Sequence, residues 1–151
     1  MAGLVCAARA RELGKQPVVS EKGDRPGGSM VLSSCVIWRY RSGEVFHEEC
    51  PGGDPVLQRL IVERLDDGLE WLESLGARVV EPDTGNPRTI GRRFDTRALT
   101  EALAERAGTV QFGQVQGPVT GRGADRPLIL ATGGFHVRLA RELGAAGRRA
   151  E

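Results

Sequence analysis

The chain has 151 residues and a net charge of +1, values that exclude several classes of protein. This length supports one domain with a real core and leaves little room for a second. Acidic and basic residues are mixed along the chain, so no extended field would attract nucleic acid or an anionic membrane. No apolar run approaches the roughly 18 residues of a membrane span. We expect neither export nor insertion into a membrane, and therefore a cytoplasmic protein.

The three cysteines are Cys6, Cys35 and Cys50, an odd number at wide spacing. None of them forms a CxxC pair, which argues against both a disulfide framework and a zinc site. We therefore expect no metal site and a reducing compartment.

The first elements in chain order are a helix and a short strand. Residues 2–13 place Leu4 and Ala8 at helical spacing, and Gly14 supplies a stop. Residues 17–21 read as a short buried strand that ends in an acid. The composition of residues 23–29 predicts a loop, and the apolar residues 30–38 suit a segment packed beneath a ligand.

The strongest predicted element is a helix over residues 55–75. Asp54 is a good N-cap and Pro55 suits the first helical position. Gly76 follows the end of the apolar pattern. Six residues trace one helical face: Leu57, Ile61, Leu65, Leu69, Leu72 and Leu75. We expect this face to pack on a sheet that contains residues 18–20 and 128–130, or on a neighbouring helical layer.

The remainder of the chain alternates between strand and helix patterns. A helix is expected to begin at Asp95 or Thr96 and to end before Gly108. Residues 78–81, 109–115 and 127–131 predict strands, residues 82–93 a polar loop, and residues 137–144 a last helix. This alternation predicts an α/β layered domain, taken as one domain over residues 1–151. The domain would lack its first strand, because the chain begins on the helix that normally follows that strand.

A dinucleotide-binding fingerprint offers one interpretation of the opening residues. Such a fold places G-x-G-x-x-G between its first strand and first helix, with an acid about 20 residues later. Ala2 and Gly3 could end this fingerprint, and Glu21 lies 18 residues beyond Gly3 at the end of a strand. Gly3 would permit close helix–strand packing, and the Glu21 carboxylate would accept both ribose hydroxyls. One glycine and one glutamate at this spacing are also common in proteins without such a site.

A second motif follows directly, in residues 21–29. Glu21-Lys22 followed by Arg25-Pro-Gly-Gly-Ser29 resembles a signature of the flavoprotein family that includes fumarate reductase, succinate dehydrogenase flavoproteins and ketosteroid dehydrogenases. The resemblance implies that Gly27 and Gly28 bring backbone N–H groups to the FAD pyrophosphate. Ser29, Ser33 and Ser34 would line the cofactor. The family usually has a small residue, often glycine, at the position of Cys35.

Two later segments extend the resemblance along the chain. Residues 128–135, which read LILATGGF, resemble the strand that closes the FAD site in this family. The resemblance thus implies cofactor contacts at Thr132 and Gly133. Residues 93–96, which read RFDT, resemble the family's capped helix start.

The resemblance predicts an incomplete Rossmann-like FAD-binding domain, truncated at both ends. The family's first strand and first two glycines would precede Met1, and its substrate-capping domain would follow the last residue. We expect the full-length reaction to be hydride transfer between FAD and a small organic acid or an enone. Because the family's catalytic residues lie in the capping domain and later segments, no catalytic residue is assigned and the chain alone is not expected to be a competent enzyme.

Two other functions remain open from the sequence. Taken alone, Gly27-Gly28 is also typical of a surface turn, and Thr132-Gly133-Gly134 of a strand exit. The chain could then be a non-catalytic remnant or an interaction module without flavin. Glu21 would equally suit the ribose of NAD, which keeps a nicotinamide-dependent Rossmann enzyme as a further alternative.

Overall fold

The computed structural model of the chain describes residues 1–114 and 129–131. The described residues fall into two compact units. One contains residues 1–25, 107–114 and 129–131, and the other contains residues 26–106. Both helices and strands are present, so the chain is α/β as predicted. No described helix combines the length and the apolar character that crossing a membrane requires.

The first unit is built on one helix and a parallel pair of strands. Helix α1 spans Ala2–Glu12, strand β1 spans Val19–Ser20, and strand β5 spans Val110–Gln111. β1 and β5 pair in parallel with Val19 opposite Val110. α1 packs against β1 and buries Leu4 and two alanines. A parallel pair covered by a helix is consistent with an incomplete Rossmann-like layered domain.

The second unit is built on an antiparallel sheet of order β2-β4-β3. Antiparallel sheets commonly pack one face on a core and leave the other solvated. Here α3 packs against β2 and β4, and α2 packs against both α3 and β2. The strands are β2 Val36–Tyr40, β3 Val79–Glu81 and β4 Thr89–Phe94; the helices are α2 Gly43–Glu49, α3 Pro55–Ser74 and α4 Thr96–Ala107, with a 3-10 helix at Gly28–Leu32.

The centre of this sheet depends on Gly91 in β4. Gly91 lies opposite Trp38 of β2. A Cβ atom at this position would lie 2.3 Å from the Ile37 carbonyl oxygen and 2.6 Å from Trp38 Cα. Both are backbone atoms that cannot move aside, so only glycine permits this approach of the two strands.

The predicted helix of residues 55–75 is confirmed as α3, and so is its start. Asp54 caps it, since its Oδ1 accepts hydrogen bonds from the N–H groups of Val56 at 2.8 Å and Leu57 at 3.2 Å. Leu69 and Leu72 of the predicted face are buried, but Leu57 and Ile61 are exposed. The expected sheet is wrong: the sheet beneath α3 is β2-β4-β3 and not one that contains residues 18–20.

The predicted start of α4 is also confirmed. Asp95 Oδ1 accepts a hydrogen bond from the Ala98 N–H at 2.9 Å, and the Asp95 carbonyl accepts one from Leu99. Leu99, Leu103 and Ala107, which recur at helical spacing, are fully buried. The helix ends at Ala107, before Gly108 with its positive φ of 83°.

Several sequence predictions need correction in the middle of the chain. The polar loop expected over residues 82–93 contains most of β4, which begins at Thr89. Helix α2 was not predicted at all, although Ser42 caps it by accepting from the Val45 N–H at 3.3 Å. The segment over residues 30–38 divides into the end of the 3-10 helix and the start of β2.

The predicted strands at the end of the chain are shorter or missing. Residues 129–131 adopt no strand, so the strand predicted over residues 127–131 is not found in its described part. β1 pairs with β5, because the N–H groups of Val19 and Glu21 donate to the carbonyls of Thr109 and Gln111. Residues 127–128 and the helix predicted at 137–144 lie outside the described residues.

Candidate cofactor-binding residues

The Gly27-Gly28 pair forms the tight entry of the 3-10 helix at Gly28–Leu32. Gly27 has φ +112° and Gly28 has φ +53°, conformations that glycine adopts at least cost. The Met30 N–H donates to the Gly27 carbonyl at 3.0 Å, and the Ser33 N–H donates to the Met30 carbonyl. The turn therefore begins directly after Pro26, the first residue of the second unit.

The two glycines serve different steric purposes. A Cβ atom at Gly27 would lie 2.7 Å from Val31 Cγ1 and 3.1 Å from Thr100 Cγ2, so this glycine lets the turn pack on α4. A Cβ atom at Gly28 would meet nothing within 4 Å. The backbone at Gly28 is thus bare and open to an incoming group.

The N–H groups at this bare position have no partner among the described residues. A 3-10 helix leaves its first N–H groups outside its own hydrogen bonds, and here the first internal donor is Met30. The N–H groups of Gly28 and Ser29 are therefore available. Exposed successive backbone N–H groups are the donors of anion-binding concavities in proteins, so this turn can bind a phosphate oxygen.

The three serines of the predicted site differ in what they can offer. Ser29 and Ser34 are exposed, and no described residue bonds to their hydroxyls. The Ser33 hydroxyl donates to the Met30 carbonyl at 2.8 Å and accepts from the Cys35 N–H at 3.1 Å. Ser33 thus stabilises the turn itself, whereas Ser29 and Ser34 are free to contact a ligand.

Cys35 adopts a backbone conformation that favours glycine. Its φ is +54°, in the left-handed region. The side chain is buried, and this burial raises the pKa of the thiol, with a hydrogen bond to Thr96 opposing the rise. Cys35 therefore has a backbone conformation that glycine adopts at least cost.

Glu21 lies directly after β1 and its carboxylate is already oriented. Oε1 accepts a hydrogen bond from the Gly23 N–H at 2.8 Å. The Glu21 backbone continues the parallel ladder, donating to the Gln111 carbonyl and accepting from the Gln114 N–H. Because an ionised carboxylate has about four acceptor sites, the bond to Gly23 leaves capacity for the ribose hydroxyls. The adjacent Lys22 is exposed.

Gly3 lies where another segment of the same unit passes close to α1. A Cβ atom at Gly3 would lie 3.2 Å from Ala131 Cβ. This is the close packing for which the last glycine of the fingerprint is used, although residue 131 is not in a strand. Ala2 begins α1 and is exposed. Thr132 and Gly133 lie outside the described residues.

A groove that the sequence did not predict lies on the antiparallel sheet. Its volume is about 420 Å³. Trp38 and Tyr40 meet edge to face with ring centroids 5.3 Å apart. At the rim Arg88 pairs with Glu48 at 2.5 Å and Glu49 at 2.9 Å, contacts that raise the pKa of the guanidinium. The sequence signal for this groove was the spacing of Trp38 and Tyr40, which are two residues apart in β2 and so lie on the same face of the sheet. Eight residues line the groove: Val36, Trp38, Tyr40, Glu49, Thr84, Asn86, Arg88 and Thr89.

Comparison with known proteins gives one family. The family model described as the FAD binding domain matches residues 1–123. The chain has no significant match among curated proteins or among solved structures. The match covers most of the chain, including Gly3, Glu21 and the Gly27–Ser34 turn. The chain belongs to the family of FAD binding domains, and FAD is the cofactor which that membership indicates.

Proposed function

We propose that this chain provides the FAD-binding portion of a flavin-dependent dehydrogenase or reductase. The substrate class proposed is a small organic acid or an enone, because the motif at residues 21–29 resembles that of fumarate reductases and ketosteroid dehydrogenases. FAD, when bound, supplies the hydride-transfer chemistry. The residues of this chain bind and orient the cofactor.

The observation that carries this proposal is the bare turn at Gly28. Its backbone has no neighbour where a side chain would begin, and the N–H groups of Gly28 and Ser29 are unpaired among the described residues. In this proposal they donate to pyrophosphate oxygens, and Ser29 and Ser34 add hydroxyl contacts. Hydrogen bonds to a charged acceptor are stronger than those between neutral groups, so a few donors are enough to hold the pyrophosphate.

Glu21 takes the ribose in this proposal. Its position after a strand of a parallel pair agrees with the acid of dinucleotide-binding folds. The bond from the Gly23 N–H holds the carboxylate in one orientation. A carboxylate fixed in this way loses less side-chain entropy when it accepts a ribose hydroxyl.

The first experiment compares Gly28→Ala with Gly85→Ala. Both glycines have positive φ and open space at the Cβ position, so each substitution should cost roughly 1–2 kcal/mol of stability. Only Gly28→Ala places a methyl group beside the proposed phosphate donors. Titration with FAD, followed by flavin fluorescence, should show affinity reduced about tenfold or more for Gly28→Ala and unchanged for Gly85→Ala.

The rival functions predict other outcomes of the same titration. Saturable binding of NAD⁺ with no binding of FAD would favour the nicotinamide enzyme. No binding of either nucleotide would favour the remnant or interaction module. Equal FAD affinity in Gly28→Ala and the wild type would remove this turn from the site.

A second experiment tests Glu21 with two substitutions. Glu21→Ala should weaken FAD binding by about 1.5–3 kcal/mol, the range for a hydrogen bond to a charged group. Glu21→Gln keeps an acceptor for the Gly23 N–H but loses the charge, so its affinity should lie between those of the wild type and Glu21→Ala. Isothermal titration calorimetry measures all three chains.

The matched control for Glu21 is Asp83→Ala. Asp83 accepts a hydrogen bond from Gly85, two residues later, in the same local pattern. Its loss removes an equivalent turn bond in another loop and should leave FAD affinity unchanged. If the Asp83 and Glu21 variants lose affinity equally, the effect is on the fold and Glu21 has no special role.

A further inference from the structure

The first two turns of α3 expose an unusual amount of apolar surface. Val56, Leu57, Leu60 and Ile61 are 59%, 56%, 53% and 39% exposed. None of the four is buried, unlike Gln58, Leu69 and Leu72 of the same helix. Single exposed apolar residues are ordinary, but a contiguous group typically marks an interaction surface.

This surface forms a row with a charge at each end. Leu57 is followed by Leu60 and Ile61 at spacings of three and four, so their side chains are neighbours on one face of the helix. Asp54, the N-cap, precedes the row by three residues. Arg64 follows Ile61 by three residues, with its side chain 69% exposed and paired to the equally exposed Asp67 at 3.3 Å.

The arrangement is complementary to itself when two such helices run antiparallel. With Leu57 opposite Ile61 of a second copy, Asp54 lies opposite Arg64, because both spacings are three residues. The pattern repeats with the copies exchanged, as an isologous two-fold interface requires. Gly53, beside Asp54, has no side chain to obstruct the guanidinium.

We propose that α3 is a self-association surface, on which a second copy of this chain docks through the antiparallel Leu57–Leu60–Ile61 row. The charges determine the register: sliding one helix until the two Arg64 side chains meet would place like charges together, which is unfavourable at an interface. A parallel arrangement would likewise bring Arg64 to Arg64. This self-complementarity favours a second copy over an unrelated partner.

Sedimentation velocity over a wide concentration range tests the proposal. The wild-type chain should show a monomer–dimer equilibrium. Leu60→Lys and Arg64→Glu should each raise the dissociation constant of the dimer by about tenfold or more, because each places a repelled or desolvated charge in the interface. Arg64→Lys keeps the positive charge and should retain the dimer.

Two controls carry matched changes outside the row. Arg59→Glu makes the same charge reversal on another side of α3, and Leu13→Lys makes the same apolar-to-charged change at the exposed leucine that follows α1. Both should dimerise as the wild type does. Circular dichroism melts establish that every variant folds. A wild type that stays monomeric throughout, a dimeric Leu60→Lys, or equal effects of Arg59→Glu and Arg64→Glu would overturn the proposal.

Discussion

Cys35 combines an unusual backbone conformation with a buried side chain. Its positive φ lies in a region that costs an ordinary residue about 1–2 kcal/mol, and the structure holds it there through its packing. The Cys35 carbonyl accepts a hydrogen bond from the Phe94 N–H, and the side chain is 5% exposed. The strained residue therefore joins the Ser33 turn to β4.

Cys35 should be the least reactive of the three thiols. Its pKa is raised by burial, which lowers the thiolate fraction at any pH near neutrality. Cys6 and Cys50 are only partly buried. Alkylation with iodoacetamide, mapped by mass spectrometry, should modify Cys6 and Cys50 first in the native chain and all three at similar rates in denaturant. Native labelling of Cys35 as fast as that of Cys6 would contradict this burial.

At single positions the sequence was informative where the backbone chemistry is demanding. Gly27 and Gly28 do form a tight turn with positive φ, as a paired glycine suggests. The side-chain hydrogen bonds of Ser33 and Glu21 could not be predicted, because each depends on the side-chain rotamer of the residue in the folded backbone. The close approach of Gly3 to Ala131 could not be predicted either, because the two residues are distant in sequence.

At the scale of elements, one of the contacts between α3 and the sheet is an ion pair with a buried guanidinium. Arg39 of β2 donates from Nη2 to Asp66 Oδ2 at 2.7 Å and from Nε to Oδ1 at 3.3 Å. Its Nη1 donates to the carbonyls of Tyr40 and Arg41. The Arg39 side chain is 9% exposed, whereas that of Asp66 is half exposed. The guanidinium is therefore the group that depends on the pair.

Asp66→Asn should destabilise the chain by about 1–2 kcal/mol, below the cost of breaking a fully buried pair because water reaches the carboxylate side. The matched control is Asp67→Asn, which removes the adjacent carboxylate from an exposed pair with Arg64 and should change stability little. Urea denaturation followed by circular dichroism compares them. Equal stability of the two variants would show that Arg39 does not need Asp66.

Helices were more predictable than strands, for physical reasons visible in particular elements. The caps and apolar spacing of α3 and α4 are local signals, and both helices lie where they were predicted. Most of β4 was predicted as a loop because residues 82–93 are mostly polar and include proline and glycine, which are depleted in strands. It is a strand because it pairs with β2 and β3 on its two sides, a tertiary effect that no local window contains.

At the scale of the whole molecule, family membership indicates FAD, and the proposed phosphate contact lies within the matched span. The family model spans residues 1–123, and within that span Gly28 has the bare backbone that a phosphate requires. The proposal requires that FAD contact this backbone. N–H groups that donate to a pyrophosphate lie next to its negative charge. The chemical shifts of their amide protons therefore report the contact.

The most direct test is a nuclear magnetic resonance titration of the ¹⁵N-labelled chain with FAD. The account predicts saturable binding in which the amide resonances of Gly28 and Ser29 shift among the most, moving downfield as their N–H groups donate to phosphate. The amide of Gly85, a similar turn glycine, should stay in place. Saturable FAD binding that leaves Gly28 and Ser29 unshifted, or no binding at all, would contradict the account.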